Sequence, residues 1–192
     1  DWPGEAACPF SAADKKHLLE IARASIAKVL KDGKPFPDDH FAKDASAAIR
    51  KPFGAFVTLN TKSDGELRGC IGEIVAQRPL VEAVTRLAVE SAFEDPRFPP
   101  LAKSELDKVR IEISALTPSK PVKGYEEIVL GRDGMTLEKD GSFAVFLPQV
   151  APEQGWDLAT TLSYLSRKAG LPADAWREGA KFTTFQAYIW HE

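Results

Sequence analysis

From Asp14 to Lys31 the apolar residues recur at helical spacing, with Leu18, Ile21, Ala22, Ser25 and Val29 on one stripe and Leu19, Ile26 and Leu30 beside it. Ser11 and Asp14 are in place to cap this helix, and Gly33, Pro35 and Pro37 stop it. A weaker helical stretch is predicted over 38–49, ending before Pro52. Residues 53–59 and 67–75 are rich in strand formers, and the turn-rich Thr61-Lys62-Ser63-Asp64-Gly65 between them predicts a hairpin with a long loop. Pro79 sits where a first-turn proline belongs, and a helix follows to Phe93. Its stripe is Leu80, Ala83, Val84, Leu87, Ala88 and Ser91, with Val89 and Phe93 as a second apolar pair, so this helix is expected to be covered on both sides. Glu94 to Leu101 is too proline-rich for regular structure, and Ser104 and Asp107 are set to cap a short turn. Val109 to Leu116 then alternates as a half-buried strand.

Thr117-Pro118-Ser119-Lys120-Pro121 has the composition of a linker. Beyond it, residues 135–139, the turn Asp140-Gly141 and residues 142–147 give the clearest hairpin signal in the chain. Asp157 caps a helix with stripe Leu158, Leu162, Leu165 and Ala169, Gly170 ends it, and a single last strand is predicted over 182–190. Strands are not followed one by one by long crossover helices, which predicts antiparallel pairing and an α+β fold. The chain is expected to form two lobes, each an antiparallel sheet flanked by helices. The larger takes residues 1–120 and 180–192, with 1–10 as a flexible arm, and the smaller takes 121–179. In that reading the last strand rejoins the sheet of residues 67–75.

At 192 residues the chain is long enough to bury roughly 70% of its unfolded surface without disulfide or metal staples. A net charge of −3, with no Lys/Arg run longer than two, excludes a general nucleic-acid or anionic-membrane binder. Two cysteines far apart, Cys8 and Cys70, fit a reducing compartment and a cytoplasmic location. No apolar run approaches the ~20 residues that cross a bilayer. Asp1 stands where an initiator Met would, which fits a trimmed chain or a processed precursor.

Candidate chemistry centres on Leu67-Arg68-Gly69-Cys70-Ile71-Gly72. On a strand, Arg68 and Cys70 point to one face, and glycines at 69 and 72 call for a close backbone approach, a bulge or a second chain segment. Arg68 is placed to lower the Cys70 thiol pKa. Against that stands a small, buried, inert cysteine with a positive φ at a glycine. Glu94 and Asp95 lie in a dense charged stretch with Arg97, where capping explains Asp95 as well as catalysis does. Gln149 follows a strand end without evident structural need, and Trp156 has core packing as its alternative. No metal-ligand spacing, phosphate loop or nucleophile elbow occurs, so neither a metal nor a cofactor is expected.

Taken together, these segments resemble the AMMECR-type domain family. The hexapeptide 67–72 is intact, Ser91 to Leu101 is similar to its second block, and Phe146 to Val150 with Glu153 to Asp157 is similar to its third. Arg167 to Leu171 and the closing strand match as well, so the resemblance spans residues 14–190. Ser166 departs from the Cys of many bacterial relatives. The resemblance implies two α+β lobes around a cleft, with the hexapeptide at their interface, and it brings no settled reaction with it. Two functions follow as expectations. One is an enzyme in the cleft, with Cys70, Arg68, Glu94 and Asp95 as catalytic candidates and Gly69, Gly72, Gln149 and Trp156 binding substrate. The other is a binding or scaffold module for Memo-like or radical-SAM companion proteins.

Overall fold

In the computed structural model, residues 8–192 are described, so the expected arm at 1–10 lies mostly outside the described residues. The chain divides into two compact units. One is Thr117–Ala187, and the other joins the described residues up to Leu116 to Tyr188–Glu192.

The unit holding the hexapeptide begins with α1 (Ala12–Asp32), closed at its start by a reciprocal pair. Ser11 Oγ accepts from the Asp14 amide at 3.0 Å, and the Ser11 amide donates to Asp14 Oδ2 at 2.9 Å. Gly33, at φ 71°, ends the helix in the left-handed conformation open to glycine. Four strands follow in the sheet order β2-β1-β3-β8: β1 (Gly54–Thr61), β2 (Leu67–Glu73), β3 (Val109–Leu116) and β8 (Ala187–His191). Between β2 and β3 comes α2 (Leu80–Phe93), which packs on α1 and on β1 and β2, as its two apolar sides require. Val57, Leu59, Ile111 and Ile113 supply the sheet's fully buried side chains on the helix-facing side.

The weak helix expected over 38–49 is not formed. The backbone makes a 3-10 turn at Ala42–Asp44, and Arg50 takes its carbonyls instead, with Nε on Ala42 O and Nη2 on Lys43 O. Phe36 stacks on His40 with ring centroids 4.1 Å apart, a local contact that replaces a core-facing stripe.

In the other unit the sheet order is β4-β7-β5-β6, with β4 (Lys120–Val122), β5 (Gly134–Lys139), β6 (Ser142–Phe146) and β7 (Lys181–Phe185). The Asp140-Gly141 hairpin is present. Both turn residues have positive φ, 51° and 78°, as a tight right-twisting hairpin requires. Beside this sheet lie α3 (Val150–Gln154) and α4 (Leu158–Lys168), the latter capped by Asp157 Oδ1 on the Thr160 amide at 2.7 Å. Met135, Leu137, Leu162, Leu165, Trp176 and Phe182 form the core of this unit.

Two expectations about the connections are corrected. Lys120 and Pro121 are not linker but part of the edge strand β4, where a missing proline N–H costs no ladder bond. The last strand is two strands broken at Gln186: β7 pairs with β4 and β5, and β8 lies beside β3. The fold is thus α+β, with two four-stranded antiparallel sheets flanked by helices. Among the described residues, no helix is long and apolar enough to cross a membrane.

Candidate functional site

As an edge strand, β2 leaves one row of backbone groups without a strand partner, and Asp95 and Arg97 of the loop after α2 fill that role at Cys70, while Ser91 of α2 binds between β1 and β2. Ser91 Oγ donates to Val57 O at 2.7 Å and accepts from the Ile71 amide at 2.9 Å, so one hydroxyl bridges the facing residues of β1 and β2. That geometry draws the α2 backbone onto the strand. A Cβ at Gly69 would lie 2.1 Å from Ser91 O, and one at Gly72 would lie 2.2 Å from the Phe56 ring. Both glycines are therefore required by neighbouring chain, and neither has positive φ.

Asp95 completes the edge. It is 4% exposed, and its Oδ2 accepts from the Cys70 amide at 2.9 Å. The same carboxylate holds Arg97, with Oδ1 accepting from the Arg97 amide and Nε and Oδ2 accepting from Nη2 at 2.8 Å. Arg97 Nη2 also donates to Cys70 O at 3.2 Å. The Arg97 guanidinium, aided by the backbone donors of Cys70 and Arg97, holds the Asp95 carboxyl well below the usual carboxylate range against the opposing effect of burial.

Cys70 faces away from the helices, opposite Thr58, with Sγ 3.2 Å from Thr58 Oγ1. Thr58 in turn pairs with Glu112 of β3. Burial pushes the Cys70 thiol up, and the Thr58 hydroxyl and the Arg97 charge only partly offset this, while Asp95 and Glu112 add to it. The expectation that Arg68 lowers this pKa is thus corrected. The nearby cation is Arg97, and burial outweighs it.

Arg68 leaves the strand's alternation. The register shifts between Leu59 and Asn60, which pair with Gly69 and Leu67, so Arg68 is the extra residue of a bulge and has no partner on β1. Its side chain, 11% exposed, forks onto Glu105, with Nε to Oε1 at 2.8 Å and Nη2 to Oε2 at 3.0 Å. Arg68 holds the Glu105 carboxyl below its ordinary value. The Phe98 ring is close to both arginines, with its centroid 5.9 Å from Arg68 Cζ and 5.5 Å from Arg97 Cζ. The third arm of the fork, Arg68 Nη1, is buried without an acceptor.

The structure therefore joins Cys70 to Asp95 and Arg97, ties Arg68 separately to Glu105, and sets Gly69 and Gly72 against Ser91 and Phe56. Glu94 is exposed, and its amide closes α2 on Glu90 O. Gln149 and Trp156 belong to the other unit. Gln149 precedes α3 with its Oε1 buried and unbonded, and Trp156 stacks on Tyr164 with centroids 4.2 Å apart and planes 6° from parallel. Ser166 is core, its hydroxyl donating to Leu162 O. Sequence reasoning missed Glu105 and Thr58. Thr58 was accessible in principle from the hairpin register, while nothing local marks Glu105. Among the described residues, no three His, Cys, Asp or Glu side chains come together as a metal site.

The chain is similar to several known proteins. A protein of Aeropyrum pernix is 39% identical over 188 residues, covering 94% of this chain and 79% of its own length. Protein MJ0810 of Methanocaldococcus jannaschii is 44% identical over 146 residues, 72% of this chain and 73% of its own. The crystal structure of the uncharacterised protein PH0010 from Pyrococcus horikoshii superposes with a TM-score of 0.88 at 38% identity, covering 96% of this chain and 94% of that one. The AMMECR1 family model matches residues 19–190, and the chain belongs to the AMMECR1 family.

Proposed function

We propose that the hexapeptide edge is a ligand site, and that the chain is an enzyme acting on a small substrate held there by Arg68 beside Cys70. The observation that carries this reading is Arg68 Nη1, a buried cationic donor without a protein acceptor on a guanidinium whose other two arms are fixed. Leaving such a donor unmade costs on the order of 1–3 kcal/mol, a cost that a ligand oxygen would remove. Glu105 sets the guanidinium plane before any ligand arrives, which is the preorganisation that binding and catalysis both use. Cys70 enters as a protonated thiol at neutral pH, because burial raises its pKa. It fits a proton-bearing wall of the site better than a standing thiolate nucleophile.

Exposed Leu67 and Val75, 38% and 66% accessible, flank the same strand and favour a second reading, a docking edge for a companion protein. A metabolite-extract screen by thermal shift and affinity mass spectrometry, run on wild type, Arg68→Lys and Cys70→Ala, separates the two. The enzyme reading expects a small molecule that stabilises the wild type and loses its effect in Arg68→Lys. Hits that bind all three chains equally would overturn it and leave the docking edge.

A further inference from the structure

The charges around the hexapeptide bear on what Arg68 Nη1 receives. Arg68 gives Nε and Nη2 to Glu105, and Arg97 gives Nε and Nη2 to Asp95, so each guanidinium has already spent a two-pronged edge on a carboxylate. On the face that carries Cys70, β3 adds Glu112 opposite Thr58 and Arg110 opposite Asn60. Arg68 and Arg97 are thus each already paired with a carboxylate. An anion-binding site needs the opposite, namely unspent cations or converging backbone amides. A carboxylate or phosphate at Nη1 would share one guanidinium with Glu105, in a region where burial makes like-charge repulsion count. An uncharged oxygen satisfies the donor without bringing a further charge out of water. The Phe98 ring, close to both guanidinium groups, adds an apolar surface near Arg68.

We propose, resting on the ligand-site reading above, that Arg68 Nη1 takes an uncharged carbonyl oxygen, as in an amide or peptide group, rather than a carboxylate or a phosphate. The full chain with labelled arginine guanidinium nitrogens provides the test, its Arg68 signals assigned from their loss in Arg68→Lys. N-methylacetamide, acetate and inorganic phosphate are titrated separately at matched ionic strength. The expected result is a saturable shift of the Arg68 Nη signals with N-methylacetamide and none with acetate or phosphate. In folded Glu105→Gln, where the guanidinium charge is released, acetate is expected to shift the same signals. If acetate or phosphate shifts them in the wild-type chain, the uncharged-carbonyl proposal is overturned while the ligand-site reading stands. Silence of acetate in folded Glu105→Gln overturns the charge argument. If no probe moves the Arg68 signals, both the proposal and the ligand-site reading fail together.

Discussion

The carbonyl oxygen of Ser91 lies where a side chain on Gly69 would begin, 2.1 Å from the position of its Cβ. Ser91 cannot retreat, because its hydroxyl is bound to Val57 O and the Ile71 amide and its helix is packed on both sides. Gly69→Ala is therefore expected to lower stability by about 3 kcal/mol, the upper part of the range for overpacking. Gly65→Ala is the control. Its φ is 75° but nothing lies within 4 Å, so its cost is the left-handed backbone alone, about 1 kcal/mol. Urea unfolding of the two variants measures the difference, and equal losses would contradict the close-approach argument.

Asp95 ties the edge of β2 to the loop after α2, and its ionised form makes those bonds. Its folded pKa lies below the unfolded value of about 3.9. A depressed carboxyl contributes stability that is fully present above the unfolded pKa and is lost as pH falls through the folded one. Asp95→Asn is expected to cost about 2–3 kcal/mol at pH 7, since bonds to a buried charge are replaced by weaker ones. The gap between wild type and variant should narrow as the pH is taken below about 4. Denaturant midpoints across that range give the result, and a gap that widens in acid would refute the assignment.

How much of this was legible beforehand differs by element, for physical reasons. The Asp140-Gly141 hairpin was visible because both turn residues advertise positive φ locally. The handover from β7 to β8 was not, because buried Phe182, Thr184, Tyr188 and Trp190 keep one alternation running through Gln186, and side-chain period does not say which sheet a strand joins. The glycines of the hexapeptide announced a close approach, but the approaching groups, Ser91 O and the Phe56 ring, were set by tertiary packing. Arg68 and Cys70 looked like a same-face pair because a bulge leaves no mark on a period of two. The Arg68–Glu105 fork joins residues 37 apart in sequence, beyond any local signal.

Burial raises the Cys70 thiol, and Arg97 is one of the groups working against that rise. Removing the Arg97 charge also leaves the Asp95 carboxylate beside the thiol uncompensated, so both changes disfavour the thiolate. In a Cys8→Ser background, alkylation of Cys70 by iodoacetamide should be slow at neutral pH and accelerate only above the ordinary thiol range of about 8.5. Arg97→Gln should slow it further at each pH. Peptide mass spectrometry of the quenched reaction measures both. Faster alkylation in Arg97→Gln would mean that opening the loop, rather than charge, governs this thiol.

At the break between β7 and β8, Gln186 is held by the residue that follows β3. The Gln186 amide donates to Thr117 Oγ1 at 2.8 Å, and the Thr117 amide donates to Gln186 O at 2.8 Å. The Gln186 side chain then donates through Nε2 to Asp133 Oδ1 at 2.9 Å, a carboxylate whose side chain is fully buried and gripped by Arg132. Gln186 is the one residue between two strands of different sheets, so its amide belongs to neither ladder and depends on the Thr117 hydroxyl. Thr117→Val keeps the shape of the side chain and removes that acceptor, leaving a half-buried donor unmade. The expected loss is about 1–2 kcal/mol, whereas Thr117→Ser, which keeps the hydroxyl, should stay within about 0.5 kcal/mol of wild type. Hydrogen exchange sharpens the test beyond global stability. The Gln186 amide should exchange faster in Thr117→Val than the change in unfolding free energy accounts for, and at the wild-type rate in Thr117→Ser. If the Gln186 amide is equally protected in all three chains, the hydroxyl is not what holds the strand break.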